Sequence, residues 1–121
     1  MGAPSFPCPC CGYRVFRHGP GSDERCPVCG WVDDLSQLRY AELDHGPNQT
    51  SLRKAQHIFL RGESSADGAH EPTSIRRDGW LRDPRWRPID PTRDSIERPT
   101  ACQSYGEFWP RDLTWLYYWR R

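Results

Sequence analysis

The chain has 121 residues, a formal net charge of +1 and a mean hydropathy of −0.89, values that fit one small domain. Leu, Ile, Val and Phe supply only 19 residues, so six Trp, five Tyr and six Cys must provide much of the core, aided by a covalent or metal crosslink. The sequence has no apolar run of membrane length and no secretion signal, and its near-balanced charge argues against strong attraction to nucleic acid, so we expect a cytoplasmic protein.

Residues 1–34 hold five of the six cysteines, in two copies of a Cys-Pro-x-Cys-Gly pattern with 14 residues between Cys11 and Cys26. Two residues between cysteines let a tight turn aim both sulfurs at one point, and Pro and Gly favour the backbone angles of such a turn. Strand-like residues at 13–16 and 31–32 predict small hairpins. In a reducing compartment this pattern predicts a tetrathiolate metal site, with Zn²⁺ preferred, formed by Cys8, Cys11, Cys26 and Cys29.

The predicted site has four sulfur ligands, which leave no coordination position for a substrate, so we expect a structural metal. Iron is the alternative occupant, because the two motifs resemble the turns of rubredoxin and of the rubredoxin-like tail of rubrerythrin, where iron transfers single electrons. Cys10 is interpreted as a spare residue that points away from the metal, the counterpart of Val28 in the second motif. Cys102 is interpreted as a loop or core thiol.

From about residue 49 to residue 61, apolar residues recur on one side of a short amphipathic helix. Thr50 or Ser51 is the predicted N-cap of this helix, and Gly62 is its predicted end. The apolar positions are Leu52, Ala55, Ile58 and Phe59.

Residues 62–110 carry six prolines, many charged residues and few periodic apolar positions, which predicts a long extended arm. Part of the arm alternates Arg with Trp, a pattern that suits an aromatic core, a protein-binding surface or single-stranded nucleic acid. Residues 112–119 are rich in β-formers and predict a C-terminal strand. The candidate partner-binding residues are Trp80, Arg82, Arg85, Trp86 and Arg87.

The two cysteine motifs are accompanied by further characteristic residues, which are Gly12-Tyr13, Trp31, Asp33-Asp34, Asn48, Ser51-Leu52, Ala55 and Phe59. Together with Cys8-Pro9-Cys10-Cys11 and Cys26-Pro27-Val28-Cys29, they resemble the bacterial cysteine-rich CPCC family over about residues 6–62. The resemblance implies a compact zinc-ribbon-like unit followed by a helix. It also implies an accessory role, since some members are encoded beside bacterial toxins, but it implies no reaction.

One residue at the start of the predicted helix departs from the family pattern. Members tend to carry Ser-Leu-x-Glu, a capping box, whereas Lys54 stands in place of the Glu. A cation in the first turn opposes the helix dipole. We therefore expect Asp33 or Asp34 to pair with Arg53 or Lys54 and to dock the helix onto the cysteine unit.

The predicted fold class is small α+β: an N-terminal tetracysteine zinc ribbon with rubredoxin-like knuckles, one short helix, an extended arm rich in Pro, Arg and Trp, and a C-terminal strand. We expect residues 1–62 to form the zinc-ribbon unit with its helix, and residues 63–121 to form the arm and strand, packed on that unit as a single compact domain. The sequence shows no nucleophile with a base, no Gly-rich phosphate loop and no open metal site, so we expect no enzyme activity.

The expected function is that of a small bacterial protein-interaction or accessory factor with structural Zn²⁺, such as the immunity protein of a toxin locus. An iron-tetrathiolate electron-transfer module is one alternative. Binding of single-stranded nucleic acid through the Arg/Trp part of the arm is the other. We expect the partner to be another protein, with nucleic acid disfavoured and no membrane association.

Overall fold

The computed structural model describes residues 6–67, 79–98 and 109–120. Two short strands pair antiparallel in a two-stranded sheet, with Phe6 opposite Phe16. In these parts of the chain the sheet is accompanied by two α-helices and two 3₁₀ helices, and no helix is long and apolar enough to cross a membrane. The elements are β1 (Phe6–Pro7), β2 (Arg14–Phe16), α1 (Leu35–Arg39), α2 (Leu52–Asp67) and the 3₁₀ helices Leu113–Leu116 and Tyr118–Arg120.

The strand predicted at residues 13–16 is confirmed as β2, and Tyr13 extends it through an isolated antiparallel bridge to Arg82. The second predicted strand-like piece forms one antiparallel bridge, between Val32 and Arg25. Each cysteine motif therefore lies at the tip of a short antiparallel pairing.

Helix α2 begins at the predicted cap. The Ser51 hydroxyl accepts a hydrogen bond from the backbone N–H of Lys54 at 3.2 Å, as an N-cap side chain does. The prediction that this helix ends at Gly62 is wrong, because α2 continues to Asp67. A helical glycine costs about 1 kcal/mol relative to alanine, which weakens a helix without ending it.

Helix α1 was not predicted from the sequence, although a signal for it exists. The Asp34 carboxylate accepts a hydrogen bond from the Gln37 backbone N–H at 3.0 Å, which caps the N-terminus of α1. Inside the protein, the Gln37 side chain donates to the carbonyls of Leu43, Asn48 and Thr50. The sequence signal for α1 is an N-cap Asp followed by Leu35 and Leu38. The helix is also held by Gln37, which is polar and buried.

The predicted pairing of Asp33 or Asp34 with the first turn of α2 is wrong. The buried Asp33 carboxylate accepts hydrogen bonds from the Ser22 hydroxyl and backbone N–H, and Asp34 caps α1. Arg53 instead forms an ion pair with Glu42 at 2.6 Å. Both carboxylates therefore accept their hydrogen bonds away from α2, Asp33 from Ser22 and Asp34 from the first turn of α1.

A double-mutant cycle on Glu42 and Arg53 is expected to give a coupling of about 0.3–1 kcal/mol, the range of partly exposed ion pairs. The same cycle on Asp34 and Lys54 is expected to give no coupling, since Asp34 caps α1 and Lys54 is exposed. Chemical denaturation of the four variants of each cycle measures both values. A coupling for Asp34 and Lys54 equal to that of Glu42 and Arg53 would contradict this arrangement.

The prediction of a C-terminal strand is wrong, because residues 113–116 and 118–120 form 3₁₀ helices. The Asp112 carboxylate accepts hydrogen bonds from the Thr114 N–H at 3.0 Å and hydroxyl at 2.6 Å, which starts a helical turn. Four consecutive side chains, at residues 116–119, are buried. A strand with one face toward solvent alternates buried and exposed side chains. Four buried side chains in a row therefore fit the observed 3₁₀ helices better than a strand of this kind.

Gln56 of α2 joins four parts of the chain in the core. Its side-chain N–H groups donate to the Pro9 carbonyl at 2.9 Å and to the Tyr118 hydroxyl at 2.7 Å. Its carbonyl accepts from the Ile89 N–H at 2.9 Å, and the Tyr118 hydroxyl donates to the Arg87 carbonyl at 2.6 Å. One buried amide therefore ties α2 to the first cysteine motif, the 79–98 segment and the C-terminal 3₁₀ helix.

Gln56→Ala is expected to lower the free energy of unfolding by about 2–4 kcal/mol, because it leaves a cavity and removes the partner of the Ile89 N–H. His57→Ala, at the adjacent exposed position, is the matched control and is expected to change stability by less than about 0.5 kcal/mol. Denaturant titration followed by tryptophan fluorescence measures both. Equal effects of the two substitutions would show that the Gln56 network does not support the fold.

Candidate metal centre

The two cysteine motifs fold into matching turns. The Gly12 N–H donates to the Cys8 carbonyl at 2.7 Å, and the Gly30 N–H donates to the Cys26 carbonyl at 2.9 Å. Both glycines lie in the left-handed region, with φ of +82° and +86°. Residues with a side chain rarely adopt this backbone conformation. The repeated glycine therefore lets the chain reverse direction directly after the second cysteine of each motif.

The turns bring together the four cysteines predicted from the sequence. Their sulfur atoms all lie within 4.8 Å of one another, with Cys8 and Cys29 at 3.6 Å and Cys11 and Cys26 at 3.7 Å. Four sulfurs at about 2.3 Å from a tetrahedral Zn²⁺ are about 3.8 Å apart, so the spacing fits a tetrathiolate metal site. The same donor set also suits iron.

The electrostatics of the four thiols favour a bound cation. Burial, reinforced by the neighbouring thiols, raises the pKa of Cys8 and of Cys11, so two thiolates cannot form there without compensation. Backbone N–H groups of Val28 and Cys29 donate to the Cys26 sulfur at 3.3 and 3.4 Å, and part of its negative charge is thereby offset. A metal ion that displaces the protons supplies the rest of the compensation.

One ligand of the group is more accessible than the others. Cys8 and Cys11 are fully buried and Cys26 is 2% exposed, whereas Cys29 is partly exposed. Cys29 lines an open cleft of about 540 Å³ between the second cysteine turn and α2. Cys10 lines the same cleft, together with Val28, Trp31, Thr50, Ala55, Ile58 and Phe59.

Two of the candidate partner-binding residues pack against the first cysteine turn. The Trp86 indole N–H donates to the Pro9 carbonyl at 3.0 Å, and the Arg82 guanidinium donates to the Cys11 carbonyl at 2.9 Å. The Arg82 guanidinium also lies over the Tyr13 ring, 4.5 Å from its centroid. Both side chains therefore brace the turn from outside.

The other three candidates have different surroundings. Arg87 forms two 2.8 Å hydrogen bonds to the Asp94 carboxylate, and this pairing raises the pKa of Arg87. Trp80 is half-buried against the core, and Arg85 is exposed. Four of the five candidate residues therefore make contacts within the chain, and Arg85 is the exposed one. Cys102 lies outside the described residues.

Asp83 is a structural residue that the sequence reasoning missed. It is 3% exposed and accepts hydrogen bonds from the Trp119 indole at 3.0 Å and the Arg120 guanidinium at 3.1 Å. Burial opposes its charge, but hydrogen bonds from the Arg85 N–H, Trp119 and Arg120 outweigh burial and lower the pKa of Asp83. The backbone N–H of Asp83 donates to the Gly12 carbonyl. Asp83 therefore links the C-terminal 3₁₀ helices to the first cysteine turn.

The cysteine cluster lies in a part of the chain that matches a known protein family. The family model described as Cysteine-rich CPCC matches residues 6–77, more than half of the chain. The matched range contains the four clustered cysteines, α1 and α2. No curated protein matches the chain.

Proposed function

The chain belongs to the cysteine-rich CPCC family, and we propose that it is a metal-binding protein whose cysteine centre holds Zn²⁺ as a structural ion in a zinc-ribbon-like unit. The observation that carries this proposal is the convergence of four sulfurs within 4.8 Å at near-tetrahedral spacing. The ion, when bound, crosslinks the two turns. It thereby supplies the cohesion that the few aliphatic residues do not. The residues that would hold it are Cys8, Cys11, Cys26 and Cys29.

Metal analysis of the purified protein tests this proposal. We expect a colourless protein with one equivalent of zinc, and we expect Cys8→Ser to lose it. Cys10→Val is the matched control, because it copies the Cys-Pro-Val-Cys of the second motif and leaves all four clustered sulfurs in place. Protein that folds normally without a stoichiometric metal would overturn the proposal.

Electron transfer by an iron-tetrathiolate centre is the second candidate function, and the partial exposure of Cys29 favours it. An accessible ligand sulfur at a cleft provides a short path for an electron to a partner. A red protein with stoichiometric iron and a reversible one-electron reduction would support this candidate. A colourless zinc protein that shows no redox transition would exclude it.

We also propose that the protein acts in the cytoplasm as a protein-interaction or accessory factor, with a toxin-locus immunity protein as the specific form. The cleft beside Cys29 supports an interaction role, since its volume of about 540 Å³ lies in the range of ligand-binding clefts. Among the described residues, the buried Trp31 indole nitrogen and Thr50 hydroxyl lack hydrogen-bond partners, and both residues line this cleft. Ile58, also lining it, is 49% exposed.

Native affinity purification from the source cells tests the interaction role. We expect a polypeptide to co-purify stoichiometrically, and Ile58→Glu to abolish its retention by charging the cleft. His57→Glu adds the same charge at an adjacent exposed position outside the cleft and is expected to retain the partner. Equal retention by both variants would remove the cleft from the proposal. Salt-sensitive nucleic acid in place of a polypeptide would favour the nucleic-acid alternative.

A further inference from the structure

The cleft between the second cysteine turn and α2 has exposed positive charge at its rim. Arg25 lines the cleft on the side of the cysteine turn, where its guanidinium donates to the Gly30 carbonyl at 2.9 Å. On the side of α2, Ile58 lines the cleft and is 49% exposed. Residues three and four positions apart are neighbours on a helix surface, so Lys54 and Arg61 lie beside Ile58.

No residue that the structure describes forms an ion pair with these cations. Arg25, Lys54 and Arg61 are exposed. The neighbouring Arg53, by contrast, is paired with Glu42. Among the described residues that line the cleft, none is acidic. The electrostatic potential at the rim is therefore positive, and it attracts carboxylates.

The walls of the cleft suit an apolar side chain. The apolar residues that line it are Val28, Trp31, Ala55, Ile58 and Phe59. Cys29 is the member of the four-sulfur cluster that is partly exposed at the cleft. A tetrathiolate centre that holds Zn²⁺ is anionic, so a ligand must present an apolar group to Cys29 and keep its carboxylates at the rim.

The spacing of the two cations on α2 sets the shape of the ligand. Lys54 and Arg61 are seven residues apart, which at a rise of about 1.5 Å per residue corresponds to roughly 10 Å along the helix. One carboxylate does not pair with both. In an extended peptide alternate side chains face the same way, so acidic residues two positions before and after an apolar residue share its face. Their backbones are about 13 Å apart, a span that flexible Lys and Arg side chains accommodate.

We propose that the cleft binds an extended acidic segment of a partner protein, whose central apolar side chain enters the cleft while the flanking carboxylates pair with the cations at the rim. This inference rests on the proposed protein-interaction role and specifies the kind of sequence that the cleft recognises. Exposed ion pairs each contribute little, so the apolar side chain provides most of the affinity. The carboxylates raise the association rate and select against basic sequences.

Selection of short random peptides displayed on phage against the purified protein tests this inference. We expect the selected peptides to carry an apolar residue with Asp or Glu two positions away on both sides. Fluorescence anisotropy of the labelled synthetic peptides measures their affinity, which is expected to fall as the salt concentration rises. Selected peptides without acidic enrichment, or a selection that yields no binding peptide, would overturn the inference.

Charge reversal at the rim gives the matched variants. Lys54→Glu and Arg61→Glu, made singly, are each expected to weaken binding of the selected peptides by about three- to tenfold. Lys54→Glu places a Glu three residues after Ser51, as in a capping box, so it does not weaken the start of α2. Arg85→Glu changes an exposed Arg that does not line the cleft and is expected to leave binding unchanged. Equal weakening by Arg85→Glu would contradict recognition at this rim.

Neutral variants keep the test decisive where a charge reversal disturbs the fold. Lys54→Gln and Arg61→Gln are expected to give smaller losses in the same direction, and unchanged binding by both would count against the inference.

The interaction role and the acidic segment can fail separately in native affinity purification. If Ile58→Glu loses the partner while Lys54→Glu and Arg61→Glu both retain it, the interaction role holds and the acidic segment is excluded. Loss of the partner with all three variants supports both.

Discussion

Removal of the metal by a chelator at neutral pH is expected to unfold the region built on the cysteine cluster, which we place at residues 1–62. Structural zinc contributes roughly 10–16 kcal/mol in zinc-finger peptides, and the net stability of a domain is only about 5–15 kcal/mol. Without the ion, four cysteine side chains whose sulfur atoms lie within 4.8 Å of one another no longer crosslink the two turns. The chain has few aliphatic side chains to compensate.

Circular dichroism and thermal melting before and after chelation measure this effect. We expect a large loss of helical signal, because the first turn of α2 packs on the cysteine unit through the buried Leu52, and loss of the cooperative transition. Readdition of zinc under reducing conditions is expected to restore both. A spectrum and a melting curve that are unchanged after verified removal of the metal would contradict the structural role of the ion.

Gly12→Ala is expected to destabilise the protein by about 2–5 kcal/mol, through two separate effects. The first is the positive φ of +82°, which costs a residue with a Cβ about 1–2 kcal/mol. The second is contact, since a Cβ at this position would lie 2.6 Å from Cγ and Cδ2 of Trp86, which must then move. Trp86 is held to the Pro9 carbonyl by its indole N–H, so its movement also weakens that bond.

Gly30→Ala is the matched control for this substitution. Gly30 occupies the same position in the second turn, with φ of +86°, but no atom of the described residues lies within 4 Å of a Cβ built there. We therefore expect Gly30→Ala to cost about 1–2 kcal/mol, and the difference between the two variants to report the Trp86 contact alone. Thermal or chemical denaturation of the zinc-loaded variants measures it. Equal losses would show that Trp86 does not brace the first turn.

Several local features were predictable because they depend on neighbouring residues. The doubled motif predicts both turns. Each turn needs a positive φ directly after its second cysteine, which favours glycine whatever the rest of the fold is. The sequence predicts Thr50 or Ser51 as the cap of α2, and the structure places the capping hydrogen bond at Ser51, since capping joins atoms only three residues apart. The family membership follows from the same region, and its match extends from residue 6 to residue 77, further than the expected end at residue 62.

The errors arose where distant residues compete with local preference. Residues 112–119 have high β-propensity, but Asp112 starts a helical turn and the core buries consecutive side chains, so 3₁₀ helices form. Asp33 or Asp34 was expected to pair with α2, whereas the Ser22 hydroxyl donates to Asp33 and the Gln37 N–H, at the start of α1, donates to Asp34. β-Propensity reflects the average surroundings of a residue type in many proteins. In a small core with few aliphatic residues the surroundings differ from that average, so β-propensity predicts the structure less well.

What the sequence by itself determined about this protein is which four cysteines cluster and the geometry of the two turns, because spacing, proline and glycine act within a few residues. The tertiary structure alone decided what the Arg/Trp segment packs against and where a cleft opens. These depend on residues that are far apart in the chain, such as Pro9 and Trp86. Their proximity follows from how the whole core fills space, which no local pattern encodes.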